Sequence, residues 1–227
     1  VDWQQDNKVF GVDNIAQAEF DTGPFSHTAI VGLDYYHFNS KFDGLYDYNP
    51  PIIDLFTPTY GQPLNFGNNY RWDNTITQTG LYAQDQIKLD QWIFVLGGRY
   101  DWAETDNKQP LSGAHTSSKD EKFTGRGGIV YLFDNGLAPF ISYSESFLPL
   151  SGTNVQGKAF DPSTGKQYEA GVKYQPPGQN SFVQISAYEL EQENILTTDL
   201  GNPGFSNQSG AIRSKGIELE AKAELTE

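Results

Sequence analysis

Cysteine and methionine are both absent from these 227 residues. Without cysteine there are no disulfides, thiolate metal centres or cysteine nucleophiles, and the redox compartment leaves no trace in the chain. Without methionine the chain does not start at an initiator, so a processed or excised piece of a longer protein is expected. Cations are scarce: 15 Lys and Arg stand against 29 Asp and Glu, for a net charge of −14, and no basic patch is interleaved with aromatics. Such a chain repels phosphate, and nucleic acid is excluded as a partner. No run approaches the roughly 18 to 20 apolar residues of a membrane-spanning helix. The opening VDWQQDNKVF has neither the basic start nor the apolar stretch of a signal peptide.

What the chain does have is alternation, 14% aromatic residues and 23 glycines. In GKQYEAGVKY, residues 165–174, Tyr168, Ala170, Val172 and Tyr174 share one face of a strand while Gln167, Glu169, Gly171 and Lys173 share the other. Nine such period-2 segments are bounded by Gly, Pro, Asn or Asp clusters: residues 8–20, 27–40, 76–89, 92–104, 122–133, 137–147, 166–175, 181–196 and 211–225. Their connections alternate. DTGPFS, DQ, DNG and PPGQN are short, whereas residues 41–75, 105–121, 148–165 and 197–210 form longer loops.

Short turns at one end and long loops at the other are the organisation of an outer-membrane β-barrel. The apolar faces fit that reading, because lipid-facing strands carry aromatics at the two interfaces and small or aliphatic residues between them. Trp92, Phe94, Leu96, Gly98, Tyr100 and Trp102 line one face of their strand, with Arg99 and Asp101 on the other. Near the end of the chain Ile217, Leu219, Ala221, Ala223 and Leu225 alternate with Glu218, Glu220, Lys222 and Glu224. A soluble antiparallel sheet with one wet face also alternates, and the polar mean hydropathy suits either reading. Loop asymmetry and aromatic girdles favour the membrane. Bacterial barrels usually close with an even strand number, so nine strands imply an open sector of a larger barrel, an all-β antiparallel up-and-down meander in one partial domain over residues 1–227.

Four long segments occur in this order: QTGLYAQDQIKLDQWIFVLGGRYDWAETDN, FTGRGGIVYLFDNGLAPFISYSESFLPLSG, GKQYEAGVKY and IRSKGIELEAKAEL. Together they closely resemble the middle of the barrel of TonB-dependent siderophore receptors, nearest to the ferrichrome-type hydroxamate receptors. The resemblance is strong over residues 76–225 and looser from VGLDYYHFNS to LFTP. It implies a transmembrane barrel of about 22 strands in the bacterial outer membrane. An N-terminal plug closes such a barrel, and a coupling box ahead of the plug engages the TonB complex. The implied ligand is a ferric siderophore, captured at the outer mouth and imported by active transport, and no enzymatic activity or resident cofactor is expected. Plug, coupling box and a final strand ending in an aromatic are not recognisable in these residues, so on their own they are expected not to transport. Two unpaired strand edges would then have to be covered or paired.

The loop expected at residues 41–75 carries Phe42, Tyr46, Tyr48, Phe56, Tyr60, Phe66, Tyr70 and Trp72. Ferric hydroxamates are compact and neutral, with an amide-rich and partly apolar surface, to which tyrosine and tryptophan offer both contact area and hydrogen bonds. In the family an aromatic early in the matching loop touches ligand, and the alignment puts Gly44 at that position. Phe42, Tyr46 or Tyr48 would have to substitute, with Phe56 the next aromatic along, and the alternative is that these rings pack the loop on itself or join the interface belt.

Other chemistry finds no support. His27, His37 and His115 lack metal-ligand spacing, and SYSESF contains no GxSxG elbow. DWAETDN and DLGNPG do not match a calcium loop, and LGGRYD has no lysine or helix to hold phosphate. Two rival functions stay open: a receptor for another scarce ligand (a different iron chelate, cobalamin or a glycan), and a soluble β binding or structural module.

Overall fold

A computed structural model describes residues 2–47, 51–64, 66, 68–202 and 204–224. It contains one sheet of nine antiparallel strands in sequence order, with no crossover. They are β1 (Asp2–Thr22), β2 (Phe25–Tyr46), β3 (Asn68–Leu89), β4 (Trp92–Gln109), β5 (Ala114–Tyr131), β6 (Leu137–Leu148), β7 (Ser163–Tyr174), β8 (Phe182–Thr198) and β9 (Ser206–Lys222). All nine expected strands are present, but several are longer than their hydrophobic pattern. Lys41–Tyr46 continues β2 and pairs with the start of β3, so the long connection shrinks to residues 47–67. Between β4 and β5 the expected loop of residues 105–121 is a continued hairpin, closed by a turn at residues 110–113 with Gly113 at φ 73°. The physical reason is common to both. Beyond the apolar band the outward face no longer needs to be apolar, so alternation stops while backbone pairing goes on.

Tight turns collect at one end. Thr22 pairs with Phe25 across Gly23, at φ 63°, and Leu89 pairs with Trp92 across Asp90, at φ 49°. Residues 47–67, 149–162 and 199–205 and the β4–β5 hairpin tip lie at the other, loop end.

The register sorts side chains onto two unlike faces. On β4 the inner face is covered, with Asp101 at 2% and Thr105 at 1% exposure, while Trp102 on the outward face is 46% exposed. In a single layer, side chains cover one another only on a concave face, so the covered side is the inside of a curve. Among the described residues the buried apolar side chains are Ala103, Pro149 and Phe160, whereas Phe10, Leu81, Leu96, Ile141, Ile185, Ile217 and Leu219 stand exposed on the outward face. A sandwich would bury that row under a second sheet, and the single nine-stranded sheet has none to offer.

Aromatic pairs mark both borders of the apolar band. At the turn end Phe20 stacks on His27 at 4.8 Å, Trp92 meets Tyr131 at 4.7 Å, and Tyr131 meets Phe133 at 4.7 Å. Towards the loop end Tyr100 meets Trp102 at 4.7 Å and Tyr143 meets Tyr168 at 4.9 Å. Trp92 and Trp102 are about 33 Å apart along the strand, which the usual barrel tilt reduces to the height of an outer-membrane apolar band of about 25 Å.

One seam interrupts the sheet. β5 pairs with β6 only over Arg126–Val130 and Phe140–Ser144, and beyond it the strands part. The Gly125 N–H, left without a strand partner, donates instead to Glu145 Oε2 at 2.9 Å, and the Tyr143 hydroxyl donates to Glu145 Oε1 at 2.7 Å.

Candidate ligand-binding site

Mid-height on the inner wall, Arg99 is held by two carboxylates. Its Nε lies 2.9 Å from both Asp101 oxygens, its Nη2 is 3.0 Å from Asp34 Oδ1, and its Nη1 makes a further short bond to Asp34. Gln78 donates to Asp101 at 2.8 Å, and the Tyr82 hydroxyl donates to Asp13 at 2.9 Å. Two glycines make this arrangement flat. A Cβ at Gly32 would run into the Tyr82 ring, and one at Gly80 into the Arg99 guanidinium. The cluster is therefore seated against the wall, with its charges satisfied by neighbours, which is the condition for tolerating a half-covered ion pair. The arrangement braces β2, β3 and β4 against one another.

At the loop end the inner face changes from charged to aromatic. Phe42, on β2, lies between Trp3, at 6.0 Å and 18°, and Trp72, at 5.4 Å and 9°, with Tyr70 edge-on at 6.2 Å. Alternation builds this row. Phe42 faces inward from β2, and Tyr70 and Trp72 do so from β3 because they are two residues apart. The sequence placed all three in a long loop, and the correction is that they stand on paired strands, which fixes the rings in a stack instead of leaving them to pack a loop.

Tyr70 and Trp72 form one wall of a cleft of about 360 Å³. Its other walls come from Asn107 and Thr116 on the β4–β5 hairpin, from residues 151–155, Gly157 and Phe160 of the β6–β7 connection, and from Phe205 before β9. The β6–β7 connection folds in over the inner face. Its Gly152 N–H donates to Asn107 Oδ1 at 2.7 Å, Thr116 reaches Gly157 O at 3.5 Å, and Phe160 is 6% exposed. A short internal bridge between Thr153 and Ala159 stiffens the fold-over. Below Phe205, Asp199 accepts from the Asn202 side-chain amide at 2.9 Å and from the Gly201 N–H at 2.9 Å. Donation from Asn202 first, and from these backbone groups after it, holds the Asp199 carboxyl below the usual carboxylate range. Among the described lining residues none carries a formal charge. The cleft offers ring faces, hydroxyls and amides, and can hold a neutral molecule with a mixed surface.

Of the four residues singled out from the sequence, Phe42 joins the ring row beside this cleft. Phe56 does not line the cleft, and stands 90% exposed in the β2–β3 connection. Its backbone N–H and that of Thr57 donate to Asp54 Oδ1 at 2.7 and 2.9 Å. These bonds, Thr57's first, lower the Asp54 pKa. For Tyr46 only the backbone is described, as the last residue of β2, and Tyr48 lies outside the described residues. Asn107, Phe160 and Phe205 were not singled out. No period-2 signal marks them, since they sit on a wet hairpin tip and in two connections brought together only by the fold.

Over residues 1–226 the chain matches the family described as TonB dependent receptor-like, beta-barrel. It is 40% identical over 226 residues to the ferrichrome outer membrane transporter/phage receptor of Escherichia coli (strain K12), covering 96% of this chain and 30% of that protein. It is 40% identical over 220 residues to the ferrioxamine B receptor of Salmonella typhimurium (strain LT2), covering 96% of this chain and 31% of that protein. The crystal structure of the ferripyoverdine receptor of the outer membrane of Pseudomonas aeruginosa, bound to ferripyoverdine, superposes with a TM-score of 0.78 at 20% identity, over 99% of this chain and 31% of that one. That last likeness is one of fold. The chain spans about three-tenths of the length of the two receptors it matches at 40% identity.

Proposed function

Because the chain belongs to the TonB-dependent receptor β-barrel family, we propose that its nine strands are the wall and part of the outer mouth of a receptor for a ferric hydroxamate-type siderophore. The sheet is a sector of an outer-membrane barrel, with its outward face against lipid and its loop end towards the medium. In this reading the mouth captures the chelate and the complete receptor passes it inward, using energy delivered by the TonB complex to parts beyond these residues. No catalytic step belongs to it.

The observation that carries the reading is the uncharged cleft of rings and amides at the loop end. A ferric hydroxamate sheds little hydration on entering such a site, whereas an anionic chelate would lose much and find no counter-charge. The names of the two 40%-identical receptors, ferrichrome and ferrioxamine B, support the same ligand class.

The test is uptake of radioactive iron by an iron-starved host lacking its own hydroxamate receptors and supplied with the complete receptor. Ferrichrome or ferrioxamine B should deliver iron only when the TonB system is intact. Uptake of cobalamin or a glycan, with no uptake of iron from either chelate, would replace this reading with the alternative of another scarce ligand.

A further inference from the structure

From the sequence Phe42 is a candidate to meet ligand, and the structure gives that place to its neighbour. Trp72 stacks on Phe42 with ring centroids 5.4 Å apart and 9° between the planes, so Phe42, on β2, covers one face of the indole. Because β3 lies between β2 and β4 in the sheet, the opposite face looks towards the β4–β5 hairpin. That is the side of the cleft: Trp72 lines it together with Asn107, Gln109, Ala114 and Thr116 of the hairpin, whereas Phe42 does not line it. Trp72 is part-exposed. Its ring is thus backed on one face and open on the other, and the cleft of about 360 Å³ that it shares with Phe160 is roomy enough for part of a chelate. Tyr70, edge-on to Phe42 at 6.2 Å, steadies the stack from the same strand.

We propose that Trp72 is a specificity-determining residue of this receptor, its open indole face stacking on a planar amide or hydroxamate group of a neutral chelate, and that Phe42 is a positioning residue acting through it. The proposal rests on the siderophore reading above and moves the point of contact from β2 and the β2–β3 connection to β3. Two features give the contact its selectivity. The face of an aromatic ring carries the negative part of its quadrupole, so it accepts a neutral or cationic surface and repels an anionic one. Among the described lining residues no cation offsets that repulsion. A ring already held by Phe42 also has little freedom left to lose when ligand arrives, so the contact is made at a low entropic cost.

The test uses the complete receptor, with binding of ferrichrome and of a ferric catecholate measured on purified protein in detergent and outer-membrane level as the folding control. Trp72→Leu keeps apolar bulk and removes the ring, while Trp72→Phe keeps a ring face. Trp72→Leu should weaken ferrichrome by about tenfold or more, the loss expected of an aromatic anchor, and narrow the preference over the catecholate; Trp72→Phe should stay within about threefold of wild type. Phe42→Leu should weaken ferrichrome in the wild-type background, Phe42→Tyr should restore it, and Phe42→Leu should add nothing in the Trp72→Leu background, because its effect passes through the indole. If Trp72→Leu binds ferrichrome as tightly as wild type, or if Trp72→Phe is as weak as Trp72→Leu, the ring face is not what meets the ligand and the proposal is overturned. Equal losses from Phe42→Leu in both backgrounds would overturn the positioning role. Should Trp72→Leu not reach the membrane, hydroxyl-radical footprinting of wild type decides: ferrichrome should protect Trp72 and leave Trp92 unchanged, and unaltered labelling of Trp72 overturns the proposal. A wild type that binds no ferric hydroxamate brings down the siderophore reading itself, an outcome distinct from any difference between variants.

Discussion

Gly80 pairs with Asp101 across β3 and β4, and the guanidinium of Arg99, two residues along β4, occupies the space where a side chain at residue 80 would stand. Gly80→Ala must therefore push Arg99 off Asp34, an overpacking cost of about 1 to 3 kcal/mol. Gly11→Ala is the control, since its Cβ would meet only Tyr35 O at an ordinary 3.9 Å. In the complete receptor, the temperature at which the heat-modifiable gel band shifts should fall for the first variant and stay for the second; equal shifts would remove the seat from the account. At Asp199 the prediction concerns pH. Its pKa is depressed by the Asn202 amide and the Gly201 N–H, so its contribution to the order of residues 199–205 is present above the unfolded carboxylate value and is lost as pH falls through the depressed one. A spin label at the exposed Leu200 should stay ordered near neutrality and gain mobility only below about pH 4. Mobility independent of acid, or gained at neutral pH, would contradict that.

Strand existence was legible because one face of each strand keeps an apolar row, such as Trp92 to Trp102, while polar residues fill the other. Strand length was not. Lys41–Tyr46 and the hairpin beyond Trp102 mix polar with apolar residues on the same face, so they keep no period and read as loop although their backbones pair fully. The same limit hid the cleft: Phe42, Tyr70 and Trp72 were noticed as aromatics but placed in the wrong element, while Asn107 and Phe160 meet through connections that periodicity cannot trace. The β5–β6 seam belongs to this scale as well. Glu145 there takes the place of a strand neighbour for Gly125, so Glu145→Ala should speed amide exchange at Gly125 by about tenfold or more, the worth of a hydrogen bond to a charged acceptor. Peptides carrying Ile129 and Val130, which keep their β6 partners, should be unchanged. Uniform deprotection along β5 would point to general loosening and against the carboxylate as a local substitute.

For the whole molecule, the outward face is apolar and exposed and the inner face is polar, the arrangement expected of a wall between hydrocarbon and water. Within these residues β1 and β9 do not pair with each other, and every residue of β1 is exposed. Backbone groups along such an edge require partners in lipid, so the 227-residue segment produced alone should associate through its edges instead of forming a monodisperse detergent-free monomer. The contrary result would revive the soluble-module reading. The most direct test of the central claim uses β9, where Ile217, Leu219 and Ala221 alternate with Glu218, Glu220 and Lys222. Spin labels placed one at a time at these six positions in the complete receptor, reconstituted into bilayers, report access to oxygen dissolved in lipid against a water-soluble nickel chelate. The account predicts a period of two, with oxygen favoured at 217, 219 and 221 and the aqueous reagent, or neither, at 218, 220 and 222. Equal aqueous access at both sets, or the opposite phase, would contradict a lipid-facing wall.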